Sequence, residues 1–282
     1  MIALFGGKGY LGRQISHYLS QRRIDVDVFD LPECDVAQAA FWDRFELRRY
    51  KAIVFFAGVT GTEAGFVEAE RYLASNELGL LRLLMKSLPL GSRAPRIVFP
   101  SSRLVYRGCE RALEEDDEKE AKTVYAVNKL ACENYLQAYF NRFGIPYNVL
   151  RICVPYGNLV GDEYSYGTIG FFRKQIKEGK PITLYGDGKA LRTFTHVEDI
   201  CRAVEQFIAT GKSGIYNMGG CNMSMADAAK LVAEKYCGAE VRFVDWPKEA
   251  LLIESGSTMF SGRKIARDFH FKNIHKLSGA TI

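Results

Sequence analysis

The stretch Gly6-Gly7-Lys8-Gly9-Tyr10-Leu11-Gly12 joins an apolar run, Ile2–Phe5, to an amphipathic run, Leu11–Gln21. It reads as a strand, a tight turn and a helix, with glycines at 6, 9 and 12. Such a turn needs a residue tolerant of positive φ. A bare backbone lets a pyrophosphate approach, and the helix N-terminus offers free N–H groups and a favourable dipole. The next candidate strand, Asp25–Phe29, runs into Asp30, 18 residues past Gly12. A carboxylate there can accept hydrogen bonds from the hydroxyls of an adenosine ribose. The spacing predicts a dinucleotide site at Gly6, Gly9, Tyr10, Leu11, Gly12 and Asp30. Asp30 repels a 2′-phosphate, so NAD is expected in preference to NADP. Lys8, a cation inside the turn, could pair with a phosphate, a 2′-phosphate included, and leaves NADP open.

Outward from this turn, short β-branched or aromatic runs alternate with longer amphipathic ones, the pattern of βαβ units. Further strands are expected at Ala52–Phe56, Arg96–Phe99 and Tyr147–Ile152, and helices at Ala37–Leu47, Phe66–Leu88 and Tyr125–Phe143. Gly144 and Pro146 stop the last helix. The fold class is α/β: a Rossmann-type, doubly wound parallel sheet with a smaller C-terminal substrate-binding α/β subdomain. The expected division is 1–156 for the dinucleotide half, with 196–217 returning to it, and 157–195 plus 218–282 for the other. In the second half, Gly157–Gly167 is a Gly- and Tyr-rich loop, Thr168–Glu178 a helix, and Ile182–Tyr185 and Val241–Val244 strands. Ser224 and Asp227 form a capping box for a helix reaching Tyr236.

The chain has 282 residues, 48% of them hydrophobic and 25% charged, which suits a globular protein with a buried core and excludes collagen, coiled coil and disorder. The net charge of +5 is small and its basic residues are scattered, so no nucleic-acid partner is expected. The most apolar run, Ile53–Val59, is far short of the roughly 20 residues that span a bilayer, and Met1 leads straight into Ile-Ala-Leu-Phe. A cytoplasmic protein with no membrane partner is expected. Seven cysteines, including Cys237, are widely spaced with no Cys-x-x-Cys pair. Buried thiols are expected, with no disulfide framework and no metal.

Tyr125-Ala126-Val127-Asn128-Lys129 places a phenol and an ammonium four residues apart on one helix face. A tyrosine titrates near 10 in water, and a neighbouring cation stabilises its phenolate and makes it a base nearer neutral pH. Ser101 and Ser102 fall at the C-terminal end of the fourth strand, the sheet edge where α/β proteins bind ligands.

With these residues the chain resembles the extended short-chain dehydrogenase/reductases, specifically the NAD-dependent epimerase/dehydratase branch that modifies nucleotide sugars. The resemblance runs through Gly6/Gly9/Gly12, Asp30, Asp35-Val36, Phe56-Ala57-Gly58, Asn76, Ser101 to Tyr106 and Tyr125/Lys129. It continues through Gly186-Asp187-Gly188, Arg192 to Asp199 and Tyr216 to Gly219. It implies that Lys8, Asp35, Val36, Phe56, Ala57, Gly58, Asn76 and Ser101 join the cofactor site. Tyr125 would be the acid/base, Ser102 would hydrogen-bond the same substrate oxygen, and Lys129 would bind the nicotinamide ribose while tuning Tyr125. Arg192 would clamp the pyrophosphate of the nucleotide sugar, and His196 falls on a structural position. Relatives commonly dimerise through two long helices, here Phe66–Leu88 and Tyr125–Phe143, so a homodimer is expected.

The chain departs from the family in two places. The 4,6-dehydratases carry an Asp-Glu pair after the hydroxyl residue, where this chain has Arg103 and Leu104; neither can move a proton between neighbouring carbons. Many epimerases have a substrate-contacting Asn where this chain has Val154. The expected activity is therefore NAD-dependent 4-epimerisation of a nucleotide sugar through transient oxidation at C4. The alternatives are an NAD(P)H-dependent 4-keto sugar reductase and, remotely, a non-catalytic nucleotide sensor.

Overall fold

The computed structural model describes residues 1–161, 166–236 and 238–278; Cys237 and part of the 157–167 loop lie outside them. The chain divides into two compact units, residues 1–105, 121–151 and 201–216, and residues 106–120, 152–200 and 217–282. This differs from the expected division chiefly at 106–120, which belongs to the second unit. Asn217 explains the difference. Its backbone N–H donates to Glu115 Oε1 at 2.8 Å, and its side-chain amide donates to the Leu113 carbonyl at 2.9 Å and accepts from Tyr106 at 2.7 Å.

In the first unit, β1 (Ile2–Phe5), β2 (Val26–Phe29), β3 (Ala52–Phe55), β4 (Arg96–Ser102) and β5 (Tyr147–Ile152) alternate with helices. The sheet runs in the order β2-β1-β3-β4-β5, followed by the strand Gly214–Asn217, and β1 pairs in parallel with both β2 and β3. The strand order therefore reverses between β1 and β3, and ligands of open α/β sheets bind at the carboxyl edge of such a switch point. β1, β3 and β5 are buried along their whole length, as befits strands covered on both faces.

Two expected helices are broken. The glycine turn leads into α1 (Tyr10–Gln21), whereas the run Ala37–Leu47 is α-helical only over the short α2 (Ala39–Arg44). Phe45 leaves the helix in an extended conformation because its ring stacks on Tyr50 at 5.3 Å and meets Phe5 and Phe29 at 5.4 Å each. The run Phe66–Leu88 becomes α3 (Ala64–Val67), α4 (Ala69–Leu73), a π-helical turn (Ala74–Leu78) and α5 (Gly79–Ser87). The wide π turn contains the buried Asn76 and Glu77, whose side chains bond to neighbouring segments.

The long helix α6 (Val124–Phe143) starts where Thr123 Oγ accepts the Ala126 N–H at 3.1 Å, and ends where Gly144 adopts φ +73°. Arg151 on β5 grips it from beneath, donating to both oxygens of Glu133 at 2.9 and 2.5 Å, with both side chains buried.

The second unit contains β6 (Val154–Tyr156), α7 (Gly167–Lys177), β7 (Ile182–Tyr185), β8 (Leu191–His196) and the start of α8 (Val197–Ala209). Beyond β9 (Gly214–Asn217) come β10 (Cys221–Ser224), α9 (Met225–Lys235) and β11 (Val241–Val244). A three-stranded sheet, β10-β8-β6, and a parallel pair, β11-β7, pack with α7 and α9 around Phe172, Leu184, Phe194 and Val232. The cysteines among the described residues are free thiols, and no helix there is long and apolar enough to cross a membrane.

Removing one partner of a buried ion pair leaves an uncompensated charge. Arg151→Met should therefore lower the unfolding free energy by about 3–5 kcal/mol, read as a shift of the urea midpoint.

Candidate active site

The glycine turn is closed too tightly for side chains. A Cβ on Gly12 would lie 2.0 Å from the Gly6 carbonyl oxygen, and Gly6, at φ +81°, faces the Phe56–Ala57 backbone so closely that a Cβ would fall 2.6 Å from it. The turn thus brings the C-terminal ends of β1 and β3 together at the switch point. Gly9 caps α1 without any side-chain oxygen, and a helix N-terminus with its positive dipole end suits an anionic ligand.

Around this turn, Asp30 Oδ2 accepts the Lys8 N–H at 2.6 Å and Oδ1 accepts the Leu31 N–H at 2.8 Å. Each oxygen retains a lone pair for a ribose hydroxyl. Asp35 accepts the Ala37 N–H at 2.9 Å, and Val36 is buried with its carbonyl accepting from Trp42 at 2.8 Å. Tyr10 and Leu11 are half-buried at the helix start, and Phe56 and Ala57 half-buried after β3.

Asn76 fixes the chain beyond Gly58. Its Oδ1 accepts the Val59 N–H at 2.9 Å and its Nδ2 donates to the Val59 carbonyl at 3.1 Å. A Cβ on Gly58 would lie 2.5 Å from Asn76 Oδ1. The Asn76 amide also donates to Asn128 Oδ1 at 3.3 Å; Asn128 donates to Glu77 at 2.5 Å, and Tyr135 donates to the other Glu77 oxygen at 3.1 Å. Sequence reasoning missed Val59, Glu77 and Asn128. Asn128 lay in plain view between Tyr125 and Lys129, whereas Glu77 turns inward only because of the π turn.

Lys129 is buried, with Nζ 4.4 Å from the centre of the Phe99 ring and 5.6 Å from that of Tyr125. Loss of solvent pushes its ammonium down to about 8, against the opposing pull of Cys132 and Glu133. Tyr125 is half-buried one turn earlier on α6. At the end of β4, Ser102 Oγ accepts the Leu104 N–H at 3.2 Å, which uses a lone pair and keeps its O–H as a donor. Ser101 Oγ is buried with no hydrogen-bond partner. An orphaned buried hydroxyl at this edge, a glycine cradle without room for Cβ and an uncapped helix N-terminus all suit a bound dinucleotide.

Arg192, in the second unit, is buried on β8. It donates to the carbonyls of Leu191 and Gly256 at 2.9 and 2.5 Å and to Glu254 Oε1 at 2.7 Å. In the same unit His196 Nδ1 accepts the Glu198 N–H at 3.2 Å, and burial with the neighbouring His275 pushes the imidazole down to about 4. His196, Glu198 and His275 bring nitrogen and oxygen atoms within 4.8 Å of one another. The His196 lone pair is already spent on the Glu198 N–H, and His275 Nε2 lies 2.8 Å from Glu198 Oε2, so these groups satisfy one another.

The family model for the NAD dependent epimerase/dehydratase family matches residues 2–219. The dTDP-L-rhamnose 4-epimerase of Burkholderia thailandensis is 26% identical, over 85% of this chain and 82% of that protein. The human dTDP-D-glucose 4,6-dehydratase is also 26% identical, over 72% of this chain but only 58% of its own length. Among solved structures, the UDP-glucose 4-epimerase of Thermus thermophilus, crystallised with NAD, superposes with a TM-score of 0.83 at 24% identity, covering 99% of this chain and 96% of that one. This last likeness is one of fold. The family match takes in the glycine turn, the Tyr125/Lys129 helix and β9 without interruption, and the chain belongs to the NAD dependent epimerase/dehydratase family.

Proposed function

We propose that the protein is an NAD-dependent nucleotide-sugar 4-epimerase. The observation that carries the proposal is Lys129, buried on the same helix face as Tyr125 and packed on Phe99 of β4, the strand that ends at Ser102. Relatives named as 4-epimerases of nucleotide sugars support the substrate class. Gly6, Gly9 and Gly12 with the N-terminus of α1 hold the diphosphate of the dinucleotide, Asp30 takes the adenosine ribose, and Asn76 fixes the loop after β3. When bound, NAD takes up and returns the hydride of the sugar carbon. Tyr125 accepts the proton of the C4 hydroxyl and gives it back after the ring has turned over. Ser102 donates a hydrogen bond to the same oxygen in both directions, stabilising its negative charge. Lys129 favours the phenolate of Tyr125 and binds the nicotinamide ribose. Arg192 meets the diphosphate of the sugar nucleotide.

Tyr125 keeps one proton in circulation, so no net acid or base is consumed. Arg103 and Leu104 cannot supply the paired proton transfer of a dehydration, which favours epimerisation over the 4,6-dehydratases among the relatives. α3 and α4 pack against α6 and leave Phe66, Val67, Leu73 and Val127 exposed, a face suited to a second copy of the chain.

Tyr125→Phe should lower turnover of a nucleotide sugar by about 10²–10⁴-fold with the urea midpoint unchanged; full activity in that variant overturns the acid/base assignment. Mass spectrometry of dinucleotide released from denatured protein separates the two redox readings. Near-stoichiometric NAD is expected for an epimerase that regenerates its cofactor, whereas little dinucleotide, or NADP, favours a reductase using an exchangeable hydride donor. The depressed Lys129 gives a third outcome. Its charge is complete below about 8 and lost above, so NAD should bind more weakly as pH rises through that value. Isothermal titration between pH 7 and 9.5 should show this in the parent protein and a flat profile in Lys129→Met.

A further inference from the structure

Lys8 is the charged residue of the glycine turn, and the reaction above gives it no role. On this exposed surface its ammonium is nonetheless engaged: Nζ donates to the Leu31 carbonyl at 2.8 Å and to Glu33 Oε2 at 3.1 Å. Glu33 is correspondingly held below the usual carboxylate range, first by its own backbone N–H and then by Lys8. The Lys8 backbone N–H meanwhile bonds the Asp30 carboxylate. The root of the Lys8 side chain therefore starts beside the group that would receive the adenosine ribose, and its tip is folded back over the loop after β2.

We propose that Glu33 determines cofactor specificity by sequestering Lys8. This rests on the reading of the turn as a dinucleotide site. A lysine stem has four carbons and can reorient readily, so an ammonium rooted next to Asp30 can reach a phosphate on the ribose 2′-oxygen. Glu33 competes with that phosphate as a charged acceptor. Once Glu33 is neutral, the Leu31 carbonyl is the remaining partner among these contacts, and a neutral carbonyl holds an ammonium less well than a phosphate does. Asp30 and Glu33 thus act by different routes: one repels a 2′-phosphate directly, and the other withdraws the cation that could receive it. Glu33 could not be singled out from the sequence, where it is one more acidic residue in a loop after Pro32.

The test is the ratio of NAD to NADP dissociation constants, measured by isothermal titration. Because an exposed ion pair is a weak restraint, Glu33→Gln should shift the ratio toward NADP by about two- to fivefold, and the double variant K8M/E33Q should lose that gain. If Asp30 holds NADP binding below detection, the same comparison is made between D30S, D30S/E33Q and K8M/D30S/E33Q. An unchanged ratio in E33Q, or a gain that survives loss of Lys8, overturns the role of Glu33 while leaving the dinucleotide site intact. Failure of the parent protein to bind either dinucleotide overturns the site itself and this inference with it.

Discussion

The proposed reaction depends on holding an ammonium where water cannot reach it. Lys129 lies against Phe99 and beneath the turn that carries Tyr125, and desolvation has already drawn its affinity for the proton toward neutrality. A charge in such a position acts on the neighbouring phenol through low-dielectric surroundings, where it is worth more than in water. That advantage survives only if α6 cannot shift. The helix is fixed at its start by Thr123, at its end by the left-handed Gly144, and along its length by the Glu133–Arg151 clamp to β5 and the Asn128–Glu77 contact with the π turn. Helix α6 and the loop that follows β3 are in this way parts of one buried polar network.

The same network shows why some of the fold was legible and some was not. β1 and β5 stand where the apolar runs placed them, because a strand covered on both faces needs little beyond a continuous apolar sequence. The glycine turn was legible for the opposite reason: each glycine answers a local steric demand visible in the spacing. Phe45 was not, since an aromatic residue at a helix end carries no local sign that a cluster of rings will draw it out of the helix. Nor was the break in Phe66–Leu88. Its periodicity is helical throughout, and only the side chains of Asn76 and Glu77, engaged by Val59 and Asn128, widen the turn. Residues 106–120 joined the second unit through Asn217, a partner 102 positions away from Glu115 that no window could foresee.

Within the site, side-chain direction was the hidden quantity. Lys8 and Arg192 were both read as cations available for phosphate, and both are engaged with a carboxylate in the described structure, Glu33 for one and Glu254 for the other. The environments differ. Lys8 and Glu33 are well exposed, so their pairing is weak and easily exchanged, whereas Arg192 is buried and also bonds two backbone carbonyls. A guanidinium held on three sides cannot swing out to capture a ligand. In the proposed reaction it would act where it stands, as a rigid donor whose direction Glu254 sets, and this suits positioning a diphosphate more than gathering it from solvent.

Rigidity of that kind also bears on the choice of reaction. An epimerase must let the oxidised sugar turn over between two hydride transfers while the proton donor stays fixed, so the protein needs firm anchors at the phenol and the diphosphate and few polar contacts to the ring between them. Leu104 fits that demand. Its backbone N–H orients Ser102, and its side chain offers neither a proton nor a hydrogen bond to the sugar. A dehydratase makes the opposite demand, because elimination requires a carboxylate pair held against adjacent carbons throughout. The turn Arg103–Val105 carries no carboxylate for such a pair, and in the proposed reaction one proton and one hydride exchanged at a single carbon are all that inversion at C4 requires.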